Sequence, residues 1–504
     1  MDDQRQAWAR HLPDGVEAGA LDLLARGSLP AAWAVNWASD PAREVVRDPD
    51  GTWLTGADLL ALTTTVAGRL HGAGLRPGDR VLLTGFPSAR FVVAYAAALR
   101  AGFVVVPLNP SYSRREVEAL LVAARPKAAV VASDEVAGWL AQADPELVVT
   151  GPTVELLDGP APKLDRSGVD DPALLPFTSG TTGVPKGVVL SHGNLLAAAE
   201  TLLLAWRWTA EDRLVLALPL FHMHGLGVAL HGTLLAGASV VLHPSFDPEA
   251  VLAAADDDAT LFFGVPTMYR RLVGAERPER MAGLRLAVSG SAPLPADLHR
   301  EIGDRCGQTV LERYGMTETV MLVSNPYDGE RRAGTVGFPL PGVELRLAPG
   351  TDEIEVRGPN VFAGYLANPE ANAAAFTSDG WFRTGDIGHV DADGYVSIVG
   401  RAKELIISGG YNVYPREIED LLRAHPAVVD AAVVGTPSVE WGEVVTAYVE
   451  LGDEPMVEEL GEELLEWAAQ GLAPYKRPRL VHAVVELPRN KLGKVLRDQL
   501  TPPE

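Results

Sequence analysis

Between residues 58 and 132 the apolar positions switch repeatedly between helical and strand spacing. Residues 58–75 carry apolar side chains at helical intervals, and Pro77-Gly78-Asp79 ends that run in a turn. A short apolar strand follows at 81–84, a helix at 89–101, a strand at 103–107, a helix at 114–124 and a strand at 128–132. Strands separated by helices predict a parallel α/β sheet. The rhythm resumes with a helix at 194–205 and strands at 213–216, 240–242, 261–264 and 286–289, which predicts a second, similar α/β layer. From about residue 331 glycine, proline and short β runs dominate (337–339, 343–347, 353–356, 395–399), as in a small β-rich, barrel-like subdomain. After Arg401 the pattern changes again: helix 416–424, strands 429–434 and 444–450, helix 457–470. The expected organisation is an N-terminal domain 1–400 and a small α+β domain 404–504, joined at 401–403. The first divides into α/β subdomains 1–170 and 171–330 and a β-rich subdomain 331–400.

Length and charge narrow the picture. A chain of 504 residues exceeds one ordinary core. With 43 basic against 66 acidic residues, net −23, its surface repels nucleic acid and anionic membrane. The apolar stretch 91–108 is interrupted by Arg100, Gly102 and Pro107, so it reads as buried helix and strand rather than a membrane span. The N-terminus opens acidic and has no apolar leader core. The one cysteine, Cys306, allows neither an intramolecular disulfide nor a cysteine metal cluster, and a reducing cytoplasmic setting is expected. A homodimer is an expectation without a sequence signal. Charge is segregated near the end. Residues 450–466 are acidic, whereas 476–497 carry Lys476, Arg477, Arg479, Arg489, Lys491, Lys494 and Arg497 against Glu486 alone. Such runs are often solvated faces, but a basic tail on an acidic chain is also where phosphate contacts are to be sought.

The strongest local chemistry lies in Phe177-Thr178-Ser179-Gly180-Thr181-Thr182-Gly183-Val184-Pro185-Lys186-Gly187. Its glycines free backbone N–H groups to turn inward, its hydroxyls donate without bulk, and Lys186 adds positive charge. That composition suits a polyphosphate, although the Walker A spacing is absent and a flexible surface loop has similar composition. The segment resembles the phosphate loop of the adenylate-forming superfamily: acyl-CoA synthetases, non-ribosomal peptide adenylation domains and firefly-type luciferases. Further family-like segments follow in order: Leu218-Pro219-Leu220-Phe221-His222, Ser289-Gly290-Ser291-Ala292-Pro293-Leu294, Glu312-Arg313-Tyr314-Gly315-Met316-Thr317-Glu318, Trp381-Phe382-Arg383-Thr384-Gly385-Asp386, Gly400-Arg401-Ala402-Lys403-Glu404 and Pro488-Arg489-Asn490-Lys491-Leu492-Gly493-Lys494.

The resemblance implies an acyl-CoA ligase using ATP, Mg²⁺ and coenzyme A on a small carboxylic acid. Thr178, Ser179, Gly180, Thr181, Thr182, Gly183 and Lys186 would cradle phosphates. Gly290, Ser291 and Ala292 would flank adenine, with Glu312, Arg313, Tyr314 and Gly315 in the same site and Tyr314 stacked on the ring. Thr317 would donate to the α-phosphate. Glu318 would hold Mg²⁺, since a carboxylate beside phosphates needs a cation between them. Asp386 would accept the ribose hydroxyls, with Arg401 nearby. His222 would be the aromatic gate between acyl pocket and CoA tunnel; the His222/His224 pair lacks a third ligand for a metal. Lys494 would reach the α-phosphate and carboxylate during adenylation. Lys403 would be the hinge of a mobile C-terminal domain that later brings Gly409 and Gly410 against the pantetheine arm. The acyl pocket is expected along 218–227, 262–269, 289–293 and 316–322. Segments 264–269 and 312–315 look like malonyl-CoA synthetases, yet Ser245 stands where an arginine is expected in that branch. Arg285 is then the remaining candidate partner for a second carboxylate. The expected substrate is a hydrophobic monocarboxylate, with malonate or methylmalonate as the alternative. Competing functions are a half-reaction enzyme, luciferase-like oxidation and a non-enzymatic nucleotide binder.

Overall fold

The computed structural model describes residues 2–178, 185–408, 411–438, 441–452, 458–490 and 493–500. Among these residues the chain forms four sheets. The first has a parallel centre in the order Val104–Pro107, Arg80–Thr84, Ala128–Val131, Val148–Thr150. Helices Gly56–Gly72, Ala89–Arg100 and Arg114–Ala124 connect and cover it. Thr55 with Asp58, and Ser113 with Glu116, close capping boxes that satisfy the first turns of two of these helices. The second sheet aligns Ser239–Leu242, Arg213–Leu216, Leu261–Gly264, Leu286–Ser289 and Leu311–Tyr314 in parallel. Its central strands Leu261–Gly264 and Leu286–Ser289 are buried throughout, as a parallel sheet covered on both faces requires.

The two layers exchange chain. Glu44–Arg47 and Trp53–Thr55 complete one side of the second sheet. Pro172–Leu174, Lys186–Ser191 and Gly364–Tyr365 complete one side of the first. One apolar cluster runs through both layers and includes Trp33, Tyr95, Leu196 and Leu214. Inside it the Tyr95 hydroxyl meets His231 Nε2 at 2.7 Å.

Glu344–Leu347, Glu353–Arg357, Phe382–Val390 and Val396–Arg401 form an antiparallel four-stranded sheet, the β-rich texture seen after residue 331. The last sheet contains Ile406–Ser408, Tyr411–Val413, Val428–Ser438, Gly442–Leu451 and Leu480–Val484. Helices Pro415–Arg423 and Glu458–Gly471 pack on it around a separate core that includes Ile418, Leu422, Val433 and Leu464. The architecture is thus mixed α/β with a small α+β C-terminal unit. Among the described residues no helix is long and apolar enough to cross a membrane.

One stretch has no counterpart in the periodicity. His224–Leu230 forms a wide helical turn in which Val228 N–H reaches back to Met223 O at 2.8 Å. Gly225 makes this possible, because any Cβ there would collide with Pro219 O.

Candidate active site

The strands of the second sheet run in parallel, so their C-terminal ends share one edge, where open α/β sheets bind ligands. Ser289 ends one strand and Tyr314 ends its neighbour. Gly315 must then pass against the backbone, since a Cβ there would strike Val320 O. A cavity of about 470 Å³ opens at this edge. Ser291, Ala292, Glu312, Arg313, Tyr314 and Gly315 line one wall; Asp386, Arg401, Glu404 and Lys494 line another. Residues more than 200 positions apart in sequence therefore meet in one space, and Gly290 lies directly behind the first wall.

The polar groups on this cavity are locked together. Tyr314 donates its hydroxyl to Asp386 Oδ2, and Arg401 Nε pairs with Asp386 Oδ1 at 3.0 Å. The Tyr314 ring is thereby fixed, and Asp386 keeps lone pairs for further donors. Glu312 accepts from Leu294 N–H at 2.9 Å, and burial pushes its carboxyl up to about 7. Glu318 is buried and accepts from the Tyr365 hydroxyl at 3.0 Å. Burial raises its carboxyl above the usual range despite that bond and the Arg401 charge. The Lys186 ammonium lies 5.3 Å from the centre of the same Tyr365 ring. Lys186 itself is held in register opposite Thr178. Tyr365 thus connects the glutamate to the lysine of the glycine-rich segment. No local motif marks this tyrosine, because its strand reaches the site by pairing with Val188 and Val189.

Lys494 sits on a tight hairpin closed by pairing of Arg489 with Val495. Gly493 has φ +76°, and a Cβ there would press on the Thr267 side chain, so Gly493 rests against the large domain. Burial and the nearby Arg401 and Lys403 charges lower the Lys494 ammonium to about 8, opposed by Glu404 and Asp386. Arg497 bonds Glu404 and Glu419 within the C-terminal unit, and Arg416 donates to Ile398 O, fastening that unit beside the cavity. Lys403 is exposed in the short turn Ala402–Glu404. Thr317 is half-buried beside Glu318. Ser179, Gly180, Thr181, Thr182, Gly183, Gly409, Gly410 and Lys491 lie outside the described residues.

A second cavity, about 400 Å³, is lined by Phe86, Pro219, Phe221, Phe246, Val265 and Met268 among others. Thr267 belongs to both cavities. His222 packs against Phe221 with ring centres 4.4 Å apart, and burial lowers its imidazole to about 4, so it is neutral at pH 7. Ser245 lines this second cavity. Arg285 does not reach either one. It grips Asp212 with two nitrogens and also donates to Trp206 O and Arg207 O, so it is not free to bind a carboxylate on a substrate.

Among the described residues no group of three or more His, Cys, Asp or Glu side chains is placed to hold a metal. The donors suit Mg²⁺ arriving with ATP, an ion that takes one or two protein carboxylates and fills its other positions with phosphates and water. Glu318 offers one such carboxylate.

This arrangement defines an enzyme that handles a nucleotide between a large α/β domain and a small C-terminal one. Residues 33–366 match the model of the AMP-binding enzymes, and residues 417–494 match that of the AMP-binding enzyme C-terminal domain. The chain is 38% identical over 465 residues to a feruloyl-CoA synthase from an Amycolatopsis species, covering 89% of this chain and 94% of that one. It is 37% identical over 484 residues to a malonate–CoA ligase from Arabidopsis thaliana, covering 86% and 79%. The crystal structure of ATP-bound MatB from Rhodopseudomonas palustris superposes with a TM-score of 0.87 at 40% identity, covering 94% and 98%. The chain belongs to the AMP-binding enzyme family and is an AMP-forming acid–CoA ligase.

Proposed function

We propose that this chain carries out both half-reactions on a predominantly apolar monocarboxylate. The acid is adenylated in the larger cavity and its acyl group is then passed to the CoA thiol. The observation that carries this reading is the convergence of Tyr314, Asp386, Arg401 and Lys494 on one cavity from distant parts of the chain. Tyr314 stacks on adenine with its hydroxyl already held. Asp386 and Arg401 receive the ribose. Thr178 and Lys186 face the β- and γ-phosphates, and Thr317 faces the α-phosphate. Glu318 holds the magnesium of Mg·ATP.

In the first step a carboxylate oxygen of the acid attacks the α-phosphorus, and pyrophosphate leaves. Negative charge grows on the oxygens around that phosphorus. The Lys494 ammonium, lowered to about 8 but still mostly charged at pH 7, meets that charge from a position fixed beforehand. In the second step the thiolate of CoA attacks the acyl carbonyl and AMP leaves. Lys494 has no task there, and its hairpin occupies space at the site. A swing about Lys403 that carries the hairpin away and brings Gly409 and Gly410 in accounts for both steps in one cavity. The neutral His222 ring serves as the gate. The aromatic and aliphatic lining of the smaller cavity supports an apolar acid body. Every group named comes from one chain, so the proposal needs no second copy. The buried single cysteine supports a cytoplasmic setting.

The test separates the steps. Pyrophosphate exchange reports adenylation, and acyl-CoA formation from supplied acyl-AMP reports thioesterification. A panel of acids, read by mass for both products, should give acyl-AMP and acyl-CoA from the same apolar acids. Acyl-CoA from supplied adenylate, without pyrophosphate exchange on any acid, would reduce the enzyme to the second half-reaction.

A further inference from the structure

We propose that Arg416 is the latch of the adenylating orientation, a positioning residue that holds the C-terminal unit against the large domain for the first half-reaction and lets go for the second. This deepens the two-step reading above and rests on it. The larger cavity is walled on one side by the C-terminal unit, which turns four arginines toward it: Arg416, Arg423, Arg489 and Arg497. Three of them close on carboxylates of their own unit. Arg423 pairs with Asp420 and Asp430, Arg489 with Asp430, and Arg497 with Glu404 and Glu419. Arg416 differs. Its own-unit carboxylate, Asp420, stands 3.6 Å away, while its Nη1 donates to Ile398 O at 2.5 Å, outside the unit.

That bond crosses the joint. Ile398 belongs to strand Val396–Arg401, which ends the large domain and runs into the turn at Lys403. Among the described residues no ion pair and no other side-chain hydrogen bond joins residues 404–500 to residues 2–400. The remaining contacts at the joint are steric. A Cβ on Gly493 would fall 2.9 Å from the Thr267 methyl, and the Tyr414 ring lies against Gly400. Steric contacts limit approach but give little direction, whereas a guanidinium bonded to a carbonyl fixes an angle.

The position of Arg416 is itself fixed. Pro415 begins helix Pro415–Arg423 and Arg416 follows in its first turn, with only 16% of its side chain exposed. From there it also faces the nucleotide wall. Burial raises the Glu312 carboxyl; of the charges facing it from the C-terminal unit, Arg416 opposes that rise and Asp420 adds to it. One guanidinium thus answers the large domain by contact at Ile398 and by charge at Glu312. A joint that must open between two steps cannot be tightly sewn. One directional bond at its centre suits that need, because the orientation is defined while the cost of leaving it stays small.

The two half-reactions supply the test. If each draws on its own orientation, the ratio of their rates follows the equilibrium between orientations. A bond made in only one of them then moves that ratio by the full factor it contributes. Pyrophosphate exchange is measured on an acid that the wild type activates, and acyl-CoA formation on the matching acyl-AMP. Arg416→Met keeps the length of the side chain and removes the bond. It should raise the ratio of thioesterification to exchange by about tenfold or more. Arg416→Lys keeps the charge facing Glu312 but not the fork, and should raise the ratio by less. A variant that merely folded poorly would lose both rates together and leave the ratio where it was. The proposal is therefore overturned if the ratio stays at the wild-type value in both variants, or if it falls. A wild type that makes acyl-CoA from acyl-AMP but exchanges pyrophosphate with no acid would remove the two-step reading itself, an outcome separate from an unmoved ratio.

Discussion

The second sheet has two edges, and each carries an arginine in opposite circumstances. At the N-terminal ends of the strands, Arg285 meets Asp212 through two nitrogens and two carbonyls through the rest. Asp212 in turn accepts from the Thr260 hydroxyl and Thr209 N–H. Burial pushes its carboxyl up, but Arg285, Thr260 and Thr209 outweigh that and hold it below the usual range. At the C-terminal ends, Arg313 has nitrogens without partners, and Lys494 sits desolvated above the same cavity. One edge is closed by internal bonds. The other keeps cations unsatisfied, which makes sense only if an anionic or acceptor-rich ligand completes them. Polar satisfaction thus separates support from function more sharply than residue type does.

The largest effect should come from the unsatisfied edge. Lys494→Ala should slow adenylation, read by pyrophosphate exchange, by about 10²–10³-fold, as expected for loss of one preorganised charge contact. Thioester formation from supplied acyl-AMP should change far less, and the melting temperature should stay near that of the wild type. Intact exchange with lost thioesterification would refute the assignment. The satisfied edge should respond the other way. Asp212→Ala leaves Arg285, about a quarter exposed, without its counter-ion. Urea denaturation should show a loss of about 2–3 kcal/mol, below the full cost of breaking a deeply buried pair because water reaches the arginine. At temperatures where the variant remains folded, its pyrophosphate exchange should match the wild type.

Much of this contrast was legible in the residues, and some of it could not be. The alternation of helix and strand over 58–132 marks a parallel sheet because apolar period is a local property, and the helices and strands stand where the pattern puts them. Pairing is not local. Nothing in Glu44–Arg47 announces that it joins strand Ser239–Leu242, nor in Gly364–Tyr365 that it reaches Lys186–Ser191. The same limit hides site residues. Tyr314, Asp386 and Lys494 announce themselves through motifs, while Tyr365 reaches Glu318 only through tertiary pairing. Arg285 and Arg313 are indistinguishable as letters, and only the fold distinguishes the one that already has a carboxylate.

The pH dependence of adenylation should expose the unsatisfied edge directly. Lys494 acts in its charged form, and in the free enzyme its ammonium is lowered to about 8. Activity is therefore retained below that pH and lost as pH rises through it. The kcat/KM for ATP in pyrophosphate exchange, which reports the free enzyme, should fall by about tenfold per pH unit on the alkaline side of 8. Lys494→Arg should lower the rate but move this limb out of range, since a guanidinium stays charged throughout. An unmoved limb would assign the titration to another group.

The smallest effect tests how the satisfied and unsatisfied styles meet at Glu318. Its carboxylate takes one bond from Tyr365, whose ring also lies over the Lys186 ammonium. Tyr365→Phe removes the hydroxyl and keeps the ring, so Lys186 retains its contact and only Glu318 is loosened. A hydrogen bond to a charged group contributes about 1.5–3 kcal/mol when fully buried. Tyr365 is half-buried, which puts the expected loss in adenylation near the lower end, about tenfold. If Glu318 acts through magnesium, the loss should appear mainly as a raised requirement for Mg²⁺ and should shrink as Mg²⁺ is increased. A loss insensitive to Mg²⁺ would mean that Tyr365 positions Lys186 or the phosphates instead, and Glu318 would then belong with Asp212 among the groups that only hold the fold.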